Sequence, residues 1–508
     1  MKKARLLALA LSAALSLSAC GAAPEVEATP EPTPSPSAAP AETLDFVLPC
    51  YPSGGFHPIT GANRTNLTLS PLLYRGLYAL DNSFEARSDL CASAAVDDSG
   101  LIWTFTLNAA TFSDDTAMTA GDVAYSLNLA RKSDRYASRL AGLKSVSAGE
   151  GTVTVTLTAP NGALPTLLDV PVIRETTDAL RPLGTGCYYL TGEGDALRLT
   201  ARAGASVPLQ EIPLRAIRAS DDLVYAFDAR EISRVDVDLT GANALGYSSR
   251  FETADYPTTG MLYLGLNTRT GACRDLQTRQ ALQYAFDRDN VANKLLAGHA
   301  AASALPVHPN AAAYSPELAQ SLTFDGQRAA DGLTAAGWTA AEDGKRHKGR
   351  TALSLTLLVN QDNTYKVTVA EALAASLETL GCTVTVQKLP WEDYTKALAA
   401  GKFDLYLAES LLTADFDLEA LLGFAGVLNY GGYVDAQTTQ LMAECRAASG
   451  EARKTAAAAL YARIGETAPI IPLCFKNGSL LTQWGQVSGA EPTQRDVFSG
   501  FERWQIKM

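Results

Sequence analysis

The sequence predicts an α/β protein with more than one domain. Its 508 residues are too many for a single hydrophobic core, so two or three domains are expected. Residues 353–408 alternate strand patterns with helix patterns, which is typical of a mainly parallel sheet covered by helices. Residues 260–299 add one alternating strand followed by two helices. These two segments are the clearest evidence for the α/β class.

Residues 1–19 predict a secretory signal peptide. A basic start precedes an apolar stretch at residues 6–17, which is too short to span a bilayer comfortably. The order L-S-A-C-G at residues 17–21 resembles a bacterial lipobox, which implies cleavage before Cys20 and lipidation of its sulfur. The alternative is an ordinary signal peptide with an incidental cysteine. Either interpretation places the mature protein outside the cytoplasm.

Residues 20–43 are predicted to be a tether that begins at the lipid-bearing Cys20. They are rich in Pro, Ala, Glu, Thr and Ser, so they cannot bury a core and are expected to stay disordered and extended. The whole chain has a formal net charge of -12. This charge argues against nucleic acid or an anionic membrane surface as the main partner.

The first half of the mature chain predicts several strands and one clearly marked helix. Residues 44–48, 102–107 and 152–158 are predicted strands. The box Thr119-Ala120-Gly121-Asp122 predicts a helix start, because the threonine hydroxyl and the aspartate carboxylate can satisfy the first amides. Residues 67–80 have apolar side chains at helical spacing, which predicts a further helix with Pro71 in or before its first turn.

The second half predicts more regular elements. Leu262–Leu266 alternate as a strand, and Asp275 and Asp287 are placed to cap the two helices that follow. Residues 441–464 predict a helix, and residues 470–475 predict a buried strand.

The cysteines do not predict a metal site. Seven of them follow Cys20 without a C-x-x-C pair, so zinc binding is not expected. Cys382 and Cys474 lie among apolar residues and are predicted to be buried thiols. A disulfide outside the cytoplasm stays possible, and the spacing does not assign one.

Catalytic motifs are likewise missing from the sequence. It contains no G-x-S-x-G, no H-E-x-x-H and no calcium-binding loop. The four histidines His57, His299, His308 and His347 are scattered, and we interpret them as surface or loop residues rather than metal ligands. The chain is therefore expected to be neither an enzyme nor a metal protein, and no cofactor is predicted.

Three segments resemble a known family. Residues 260–299, GMLYLGLNTRTGACRDLQTRQALQYAFDRDNVANKLLAGHA, closely resemble the start of the second lobe in bacterial family 5 extracellular solute-binding proteins. These proteins are the oligopeptide-, dipeptide- and nickel-binding receptors of ABC importers. Residues 97–127, DDSGLIWTFTLNAATFSDDTAMTAGDVAYSL, resemble a second family signature, with Asn108 and Asp115 as departures from it. Residues 182–190 resemble a third signature, in which Gly184-Thr185-Gly186 is expected to form a tight turn into a strand.

The resemblance implies a periplasmic-binding-protein-like fold with two α/β lobes joined by a hinge. It places lobe I at residues 44–258, with an inserted subdomain at about 62–165, and lobe II at residues 259–478. Residues 479–508 would return to lobe I. The chain is expected to cross between the lobes near residues 255–260 and again near residues 476–481.

The same resemblance implies capture of a small solute by lobe closure and its delivery to an ABC permease with ATPase subunits. A peptide is the leading ligand, and a metal chelate such as nickel, or another small solute, is the alternative. A secreted hydrolase is the alternative of another class. The resemblance also implies a lipid-anchored monomer on the outer side of the bacterial cell membrane.

The best candidate for ligand contact follows the strand predicted at residues 403–407. Open α/β sheets place ligands at the carboxyl ends of their strands. In peptide-binding family members an aspartate in a similar segment takes the ligand's α-ammonium group, and the resemblance places Asp415 there. Alternatively, Asp415 and Asp417 cap the helix that starts at Leu418. Three aromatic residues are predicted to wall the cleft, with ordinary packing as the alternative: Trp391, Tyr430 and Tyr433.

Overall fold

The computed structural model describes residues 45–175, 178, 180–242 and 246–508. The predicted signal peptide at residues 1–19, Cys20 and the predicted tether up to residue 43 lie outside the described residues. Within the described ranges, no helix has both the length and the apolar character that a membrane crossing requires.

The described residues form short strands in the first half and longer strands in the second. The strands are β1 Leu48–Cys50, β2 Tyr78–Leu80, β3 Ala86–Ser88, β4 Cys91–Val96, β5 Ile102–Leu107, β6 Leu143–Ala148, β7 Thr152–Leu157, β8 Tyr188–Thr191, β9 Arg198–Ala201, β10 Glu211–Ala216, β11 Arg234–Val237, β12 Phe251–Leu266, β13 Ala300–Ala302, β14 Thr339–Ala340, β15 Arg346–Lys348, β16 Thr351–Ala352, β17 Ser354–Asn360, β18 Thr383–Leu389, β19 Leu405–Leu411, β20 Ile470–Gln483, β21 Val487–Ser488 and β22 Gln505–Ile506.

Most helices belong to the second half of the chain. The helices are α1 Arg64–Leu67, α2 Ser70–Leu73, α3 Ala120–Ala130, α4 Ser220–Asp228, α5 Leu276–Leu282, α6 Arg288–Asn290, α7 Pro316–Ser321, α8 Gly326–Ala335, α9 Thr364–Thr379, α10 Trp391–Ala399, α11 Glu419–Leu422, α12 Ala436–Ala447 and α13 Gly450–Thr467.

The largest sheet contains the predicted alternation of strands and helices. Its order is β11-β20-β12-β19-β17-β18, with β13 beside β20. Strands β17, β18 and β19 are parallel and are connected by α9 and α10, which confirms the prediction for residues 353–408. β12 pairs antiparallel with both β19 and β20, so the sheet as a whole is mixed. The parallel strands end at Asn360, Leu389 and Leu411 on one edge of the sheet, which we call the carboxyl edge.

Two four-stranded sheets form most of the first half. One has the order β1-β10-β9-β8, and the other has the order β4-β5-β7-β6 and is antiparallel throughout. The predicted capping box is confirmed, because the Thr119 hydroxyl accepts from the Asp122 amide and the Asp122 carboxylate accepts from the Thr119 amide. Helix α3, which this box starts, packs against the second of these sheets.

The buried apolar side chains form two large cores. The first core includes Leu48, Phe105, Val153, Tyr188 and Trp504. The second core includes Leu264, Phe286, Leu357, Leu373 and Leu460.

Strands β12 and β20 pass from one core to the other side by side. Tyr256 and Leu480 belong to the first core, whereas Met261 and Phe475 belong to the second. The pairing of the two strands shifts register between Pro257 and Met261. Such an irregularity bends a strand locally, so the bend lies where the two strands cross between the cores.

Two predicted helices are wrong in detail. Residues 67–80 contain the end of α1, then α2 and strand β2, because Pro71 occupies the first turn of a one-turn helix and Gly76 bridges to Pro171. Residues 441–464 are divided between α12 and α13. The division falls at Ser449, which is extended, and Gly450, which has a φ of 52°.

The remaining local predictions are mostly confirmed. Asp275 and Asp287 cap α5 and α6, although a π-helical turn at Val291–Leu295 continues the second helix. Cys382 and Cys474 are buried, and the seven cysteines within the described ranges are free thiols.

The Gly-Thr-Gly segment at residues 184–186 has a different role from the predicted one. A side chain on Gly184 or Gly186 would collide with the main chain at Leu72 and Leu73, which lie in α2. The amide of Gly186 donates to the Leu73 carbonyl at 2.9 Å. The glycines therefore allow close packing against α2 rather than a special turn.

Candidate functional site

Two adjoining cavities lie beside the crossing strands. The cleft cavity, of about 810 Å³, has walls from both cores. Ile59–Ala62 lie on the side of the first core. The residues at the crossing and on the side of the second core are Gly260, Glu409, Leu411 and Lys476. The edge cavity, of about 840 Å³, is lined by the first half of the chain, including Tyr51, Arg218 and strand β11. The two cavities share Ala62, Arg64, Thr68 and Asp236–Asp238.

A buried lysine joins the charged groups of the cleft cavity. Lys476 lies in β20 with only 5% of its side chain exposed. Its Nζ lies 2.6 Å from Asp238 Oδ2 and 3.4 Å from Glu409 Oε2. Glu409 also lies 2.8 Å from the Nζ of Lys366. Because each carboxylate has a cation beside it, this wall offers compensated charges of both signs rather than one strong field.

Asp236 is another carboxylate of the cleft cavity. Its Oδ1 accepts a hydrogen bond from the Tyr256 hydroxyl, and its Oδ2 lies 3.5 Å from Arg64 Nη2. Burial raises the pKa of Tyr256, with the Asp236 carboxylate as the next cause, so the phenol stays protonated and remains a donor. The position of Asp236 is therefore fixed by the first core.

The crossing itself is held by the C-terminal segment. The amide of Thr259 donates to Gln494 Oε1 at 3.2 Å, and Gln494 Nε2 donates to the Thr259 hydroxyl oxygen at 3.1 Å. That hydroxyl in turn donates to the Leu412 carbonyl at 2.7 Å. The end of β19 is thus positioned by the hinge strand and by the tail of the chain.

Asp415 lies beyond the end of β19, in the wall of a third, smaller cavity of about 310 Å³. Its carboxylate accepts hydrogen bonds from Asn161 Nδ2 at 3.0 Å and from the Thr413 hydroxyl. Its carbonyl accepts from Arg453 Nη2 at 2.6 Å. Asn161 precedes Leu164 of the first core, so this contact connects the two sides of the molecule.

The capping alternative fits Asp417 and not Asp415. The carboxylate of Asp417 accepts from the amide of Glu419 at 2.8 Å, at the start of α11, and pairs with Arg446 Nε at 2.8 Å. Asp415 is instead engaged by Asn161 and Thr413, as described above. The two aspartates therefore have separate roles.

The predicted aromatic residues are not brought together. Trp391 begins α10 at the carboxyl edge, and 63% of it is exposed. Tyr430 packs against Tyr406 near the first residues of β19, at the opposite edge of the sheet from Asp415. Tyr433 is buried, and its hydroxyl bonds to Thr438 and Thr467. The contacts of Tyr430 and Tyr433 fit the alternative of ordinary packing, and their interpretation as cleft walls stays a prediction.

Two of the histidines, His57 and His308, lie in loops, as predicted, but both are buried. His57 Nδ1 accepts from the amides of Ile59 and Thr60, both at 3.1 Å, and so shapes the loop that lines the cleft cavity. Burial lowers the pKa of His57, which keeps this nitrogen available as an acceptor. His308 packs against Phe84 and Phe475, and burial lowers its pKa to about 4. Across the described ranges, no group of three or more His, Cys, Asp or Glu residues could hold a metal ion.

Sequence reasoning missed the charged residues of the cleft. Lys476, Asp238 and Glu409 meet from three different strands or strand ends, and their sequence separations are 238 and 67 residues. One signal was present: Lys476 follows the apolar run Ile470–Phe475, where a charge is unusual.

The fold and the cleft between two cores are those of a receptor that closes around a small solute. The sequence profile of bacterial extracellular solute-binding proteins, family 5, middle region, matches residues 85–426. The chain therefore belongs to the family 5 extracellular solute-binding proteins, which confirms the resemblance and the predicted fold. It binds a solute outside the cytoplasm for delivery to an ABC transporter.

The chain is similar to relatives with different ligands. It is 21% identical over 485 residues to the oligopeptide-binding protein AppA of Bacillus subtilis, covering 89% of each chain. It is 25% identical over 303 residues to the glutathione-binding protein GsiB of Salmonella choleraesuis, covering 55% of this chain and 59% of that protein. The crystal structure of NikZ from Campylobacter jejuni with Ni(L-His) has a TM-score of 0.64 and 20% identity, over 92% of this chain and 100% of NikZ.

Proposed function

We propose that this protein is a peptide receptor, which binds an extended peptide between its two lobes and passes it to the permease and ATPase subunits of an ABC importer. The observation that carries the proposal is the cleft cavity of about 810 Å³, which takes walls from both cores. A ligand held there contacts both sides at once, so it stabilises the closed arrangement.

The charges of the cleft support a peptide. Lys366, Glu409, Lys476 and Asp238 pair in this order with alternating sign, and all of them except Lys366 line the cleft cavity. A peptide carries an ammonium and a carboxylate group, and such a wall can meet both without a large desolvation cost. A metal chelate such as nickel–histidine stays the second candidate, because carboxylates and cations can hold a chelate through its organic part.

Asp415 is our proposed anchor for the ligand's ammonium group. It lines the smaller cavity of about 310 Å³ and not the cleft cavity, so this role requires the peptide to extend from the cleft cavity to the smaller one. Asn161, a neutral amide, donates to its carboxylate at 3.0 Å. A primary ammonium would make a charge-assisted hydrogen bond in the same position, which is stronger than the neutral one. Because Asp415 is buried, the exchange would take place with little competition from water.

The other residues of the predicted site differ in what supports them. Trp391 is exposed at the carboxyl edge and remains a proposed contact for an apolar ligand side chain. Asp417 already pairs with Arg446 and caps α11, so its proposed role is to hold the loop that carries Asp415. Tyr430 and Tyr433 are not part of the proposal.

The proposed lobes follow the two cores. Lobe I would comprise residues 44–258 with the return of residues 479–508, and lobe II would comprise residues 259–478. The first core supports this division, because it includes Val487, Phe498 and Trp504 from the end of the chain. The proposal includes a lipid anchor at Cys20, a monomeric state and no chemical change to the ligand.

A thermal shift screen tests the ligand class directly. Randomised peptide libraries, nickel–histidine and simple esters are offered separately, because a ligand that binds only the native state raises the melting temperature. Shifts with peptides alone support the proposal. Shifts with the chelate alone would replace it with the second candidate, and turnover of an ester or peptide would point to a hydrolase.

Mass spectrometry of the purified protein under native conditions complements the screen. Co-purified peptides, released on denaturation, would identify the natural ligand. A chelate or no peptide in several independent preparations, together with a flat thermal screen, would contradict the proposal.

A further inference from the structure

Strand β11 presents part of an open edge to the edge cavity. The open part is at Asp236, because the amide of Ser233, just before the strand, already donates to the Val47 carbonyl at 2.8 Å. The strand lies at one end of the seven-stranded sheet, where it pairs with β20 on one side. The Ser233 carbonyl accepts from the Gln483 amide at 3.1 Å. In an antiparallel ladder the main chain of every second residue is hydrogen-bonded to the partner strand. The main-chain amide and carbonyl groups of Val235 and Val237 are therefore directed toward β20. The main-chain amide and carbonyl groups of Asp236 therefore point away from β20, toward the cavity side.

The edge cavity runs along this open edge. Residues Arg234–Asp238 form one wall, and Tyr51, Asn63 and Arg218 lie among its other lining residues. The cavity of about 840 Å³ is about as large as the cleft cavity and adjoins it at the lining residues that they share. An extended chain rises about 3.3 Å per residue, so the four residues of β11 match about four residues of a ligand.

A buried hydroxyl at this cavity adds a second observation. The hydroxyl oxygen of Tyr247 is shielded from solvent and has no hydrogen-bond partner among the described residues. Burial raises the pKa of Tyr247 to about 12, so the group keeps its proton and can donate. Buried polar groups of this kind are normally satisfied. A carbonyl of a ligand main chain would satisfy this one once the tyrosine side chain turns its hydroxyl toward the cavity.

Arg64 lies at the junction of the two cavities. Its side chain is 71% exposed, whereas that of its partner Asp236 is 9% exposed, and the two charged groups are 3.5 Å apart. An ion pair that is so open to solvent is weak. Asp236 is fixed by the Tyr256 hydroxyl, so the arginine is the partner that can move.

We propose that the edge cavity is a second subsite, which binds the main chain of a longer peptide against β11, and that Arg64 controls entry to it. While Arg64 pairs with Asp236, the ligand is confined to the cleft cavity. When Arg64 moves out, the peptide continues past it and pairs with the free edge at Asp236. Arg64 is thus a determinant of ligand length. This inference rests on the proposed function, since it requires a peptide in the cleft.

The test measures which peptide lengths bind when Arg64 is removed. Wild type, Arg64→Ala and Arg87→Ala are each mixed with equimolar randomised libraries of tripeptides, hexapeptides and nonapeptides, and bound masses are read by native mass spectrometry. Arg87 is the matched control, because its side chain is 69% exposed and pairs with Asp81 away from both cavities.

We expect Arg64→Ala to raise the ratio of bound nonapeptide to bound tripeptide about three- to tenfold, which is the worth of one added main-chain hydrogen bond. Arg87→Ala should leave the ratio unchanged. An unchanged ratio in Arg64→Ala, with peptides still bound, would overturn the length gate alone. Binding of no peptide by any variant would instead overturn the proposed function and this inference with it.

Amide hydrogen exchange locates the added contact. In Arg64→Ala, the nonapeptide library should slow exchange at Asp236, and the tripeptide library should not. Val237 is the internal control, because its amide is already directed toward β20. Protection of Asp236 by both libraries, or by neither, would contradict the placement of the peptide on β11.

Discussion

The cleft cavity and the edge cavity have similar volumes but different walls. The cleft cavity takes residues from both cores and contains the Lys476 cluster, so its shape changes when the lobes move. The edge cavity is lined by residues 49–68 and 217–247, which lie on one side of the crossing strands. A site that spans two lobes can report binding by closure, whereas a site within one lobe can only add affinity or set ligand length. The predictions below separate these two kinds of site.

The largest effect is expected at Lys476. Lys476→Met would leave Asp238 and Glu409 without their shared cation, and both carboxylates are only partly exposed. We expect the free energy of unfolding to fall by about 2–4 kcal/mol. This is less than the cost of breaking a fully buried ion pair, because the two carboxylates are partly exposed to solvent. Urea unfolding measures this change.

Lys388→Met is the control for Lys476. Lys388 pairs with Glu371 on the surface, with 44% of its side chain exposed. Its loss should cost less than about 0.5 kcal/mol. Equal costs for the two variants would show that the cleft cluster has no special role.

A pH dependence is expected at Asp496, whose neighbours Arg495 and Val497 line the cleft cavity. Burial raises the pKa of Asp496 to about 6, against 3.8 in the unfolded chain. Between these two pH values the folded state holds the Asp496 proton, whereas the unfolded state has lost it. The contribution of Asp496 to stability therefore falls as the pH rises from about 4 to about 6. Asp496→Asn removes this pH-dependent loss of stability. At neutral pH, urea unfolding should therefore show the variant to be more stable than wild type by about 2–3 kcal/mol.

The control for Asp496 is the same pair of proteins at low pH. Below about pH 4 both states of the wild type hold the proton, so the two proteins should have similar free energies of unfolding. The side-chain amide oxygen of the variant can still accept from the Phe498 amide, as Asp496 Oδ1 does at 2.8 Å. A difference that does not vary with pH would show that Asp496 is not the titrating group.

Asp415→Asn tests the proposed ligand anchor. We expect peptide affinity to fall by several-fold to a few hundredfold, about 1–3 kcal/mol, because a charged hydrogen bond becomes a neutral one. Isothermal titration with a peptide found in the thermal screen measures it. Asp417→Asn is the comparison, and it should lower stability through Arg446 while leaving affinity nearly intact. The reverse result would exchange the roles of the two aspartates.

The smallest effect is expected at Asn161. Asn161→Asp keeps the acceptor that holds the Ala163 amide at 2.9 Å but places a carboxylate against Asp415. Loss of this one hydrogen bond, about 1 kcal/mol, should favour the open arrangement about fivefold. Small-angle scattering without ligand should show a larger radius of gyration. An unchanged radius would mean that this contact does not hold the lobes together.

The elements of the second half could be predicted because their signals are local. Asp275 and Asp287 cap helices a few residues away, and the alternation at Leu262–Leu266 shows the strand directly. The first half was harder, because residues 67–80 have helical spacing but are divided by Pro71 and by the bridge from Gly76 to Pro171. That bridge joins residues far apart in sequence.

The candidate site was predictable only in part for the same reason. The carboxyl edge and Asp415 follow from the order of strands, which the sequence shows. The meeting of Lys476 with Asp238 and Glu409 depends on the register of three strands, which the periodicity of each strand does not contain. The positions of Tyr430 and Tyr433 do not follow from their closeness in sequence to Asp415, because the chain turns back to the opposite edge of the sheet before it reaches them.

The paired strands β12 and β20 limit how the two lobes can travel. Two hydrogen-bonded strands resist sliding along each other and resist stretching, but a two-stranded ribbon twists and flexes out of its own plane. The register shift between Pro257 and Met261 lies where the ribbon leaves the first core. We therefore expect the motion between the lobes to be confined mainly to one rotation axis, so that opening exposes the cleft along a single rim and the solute enters from that side.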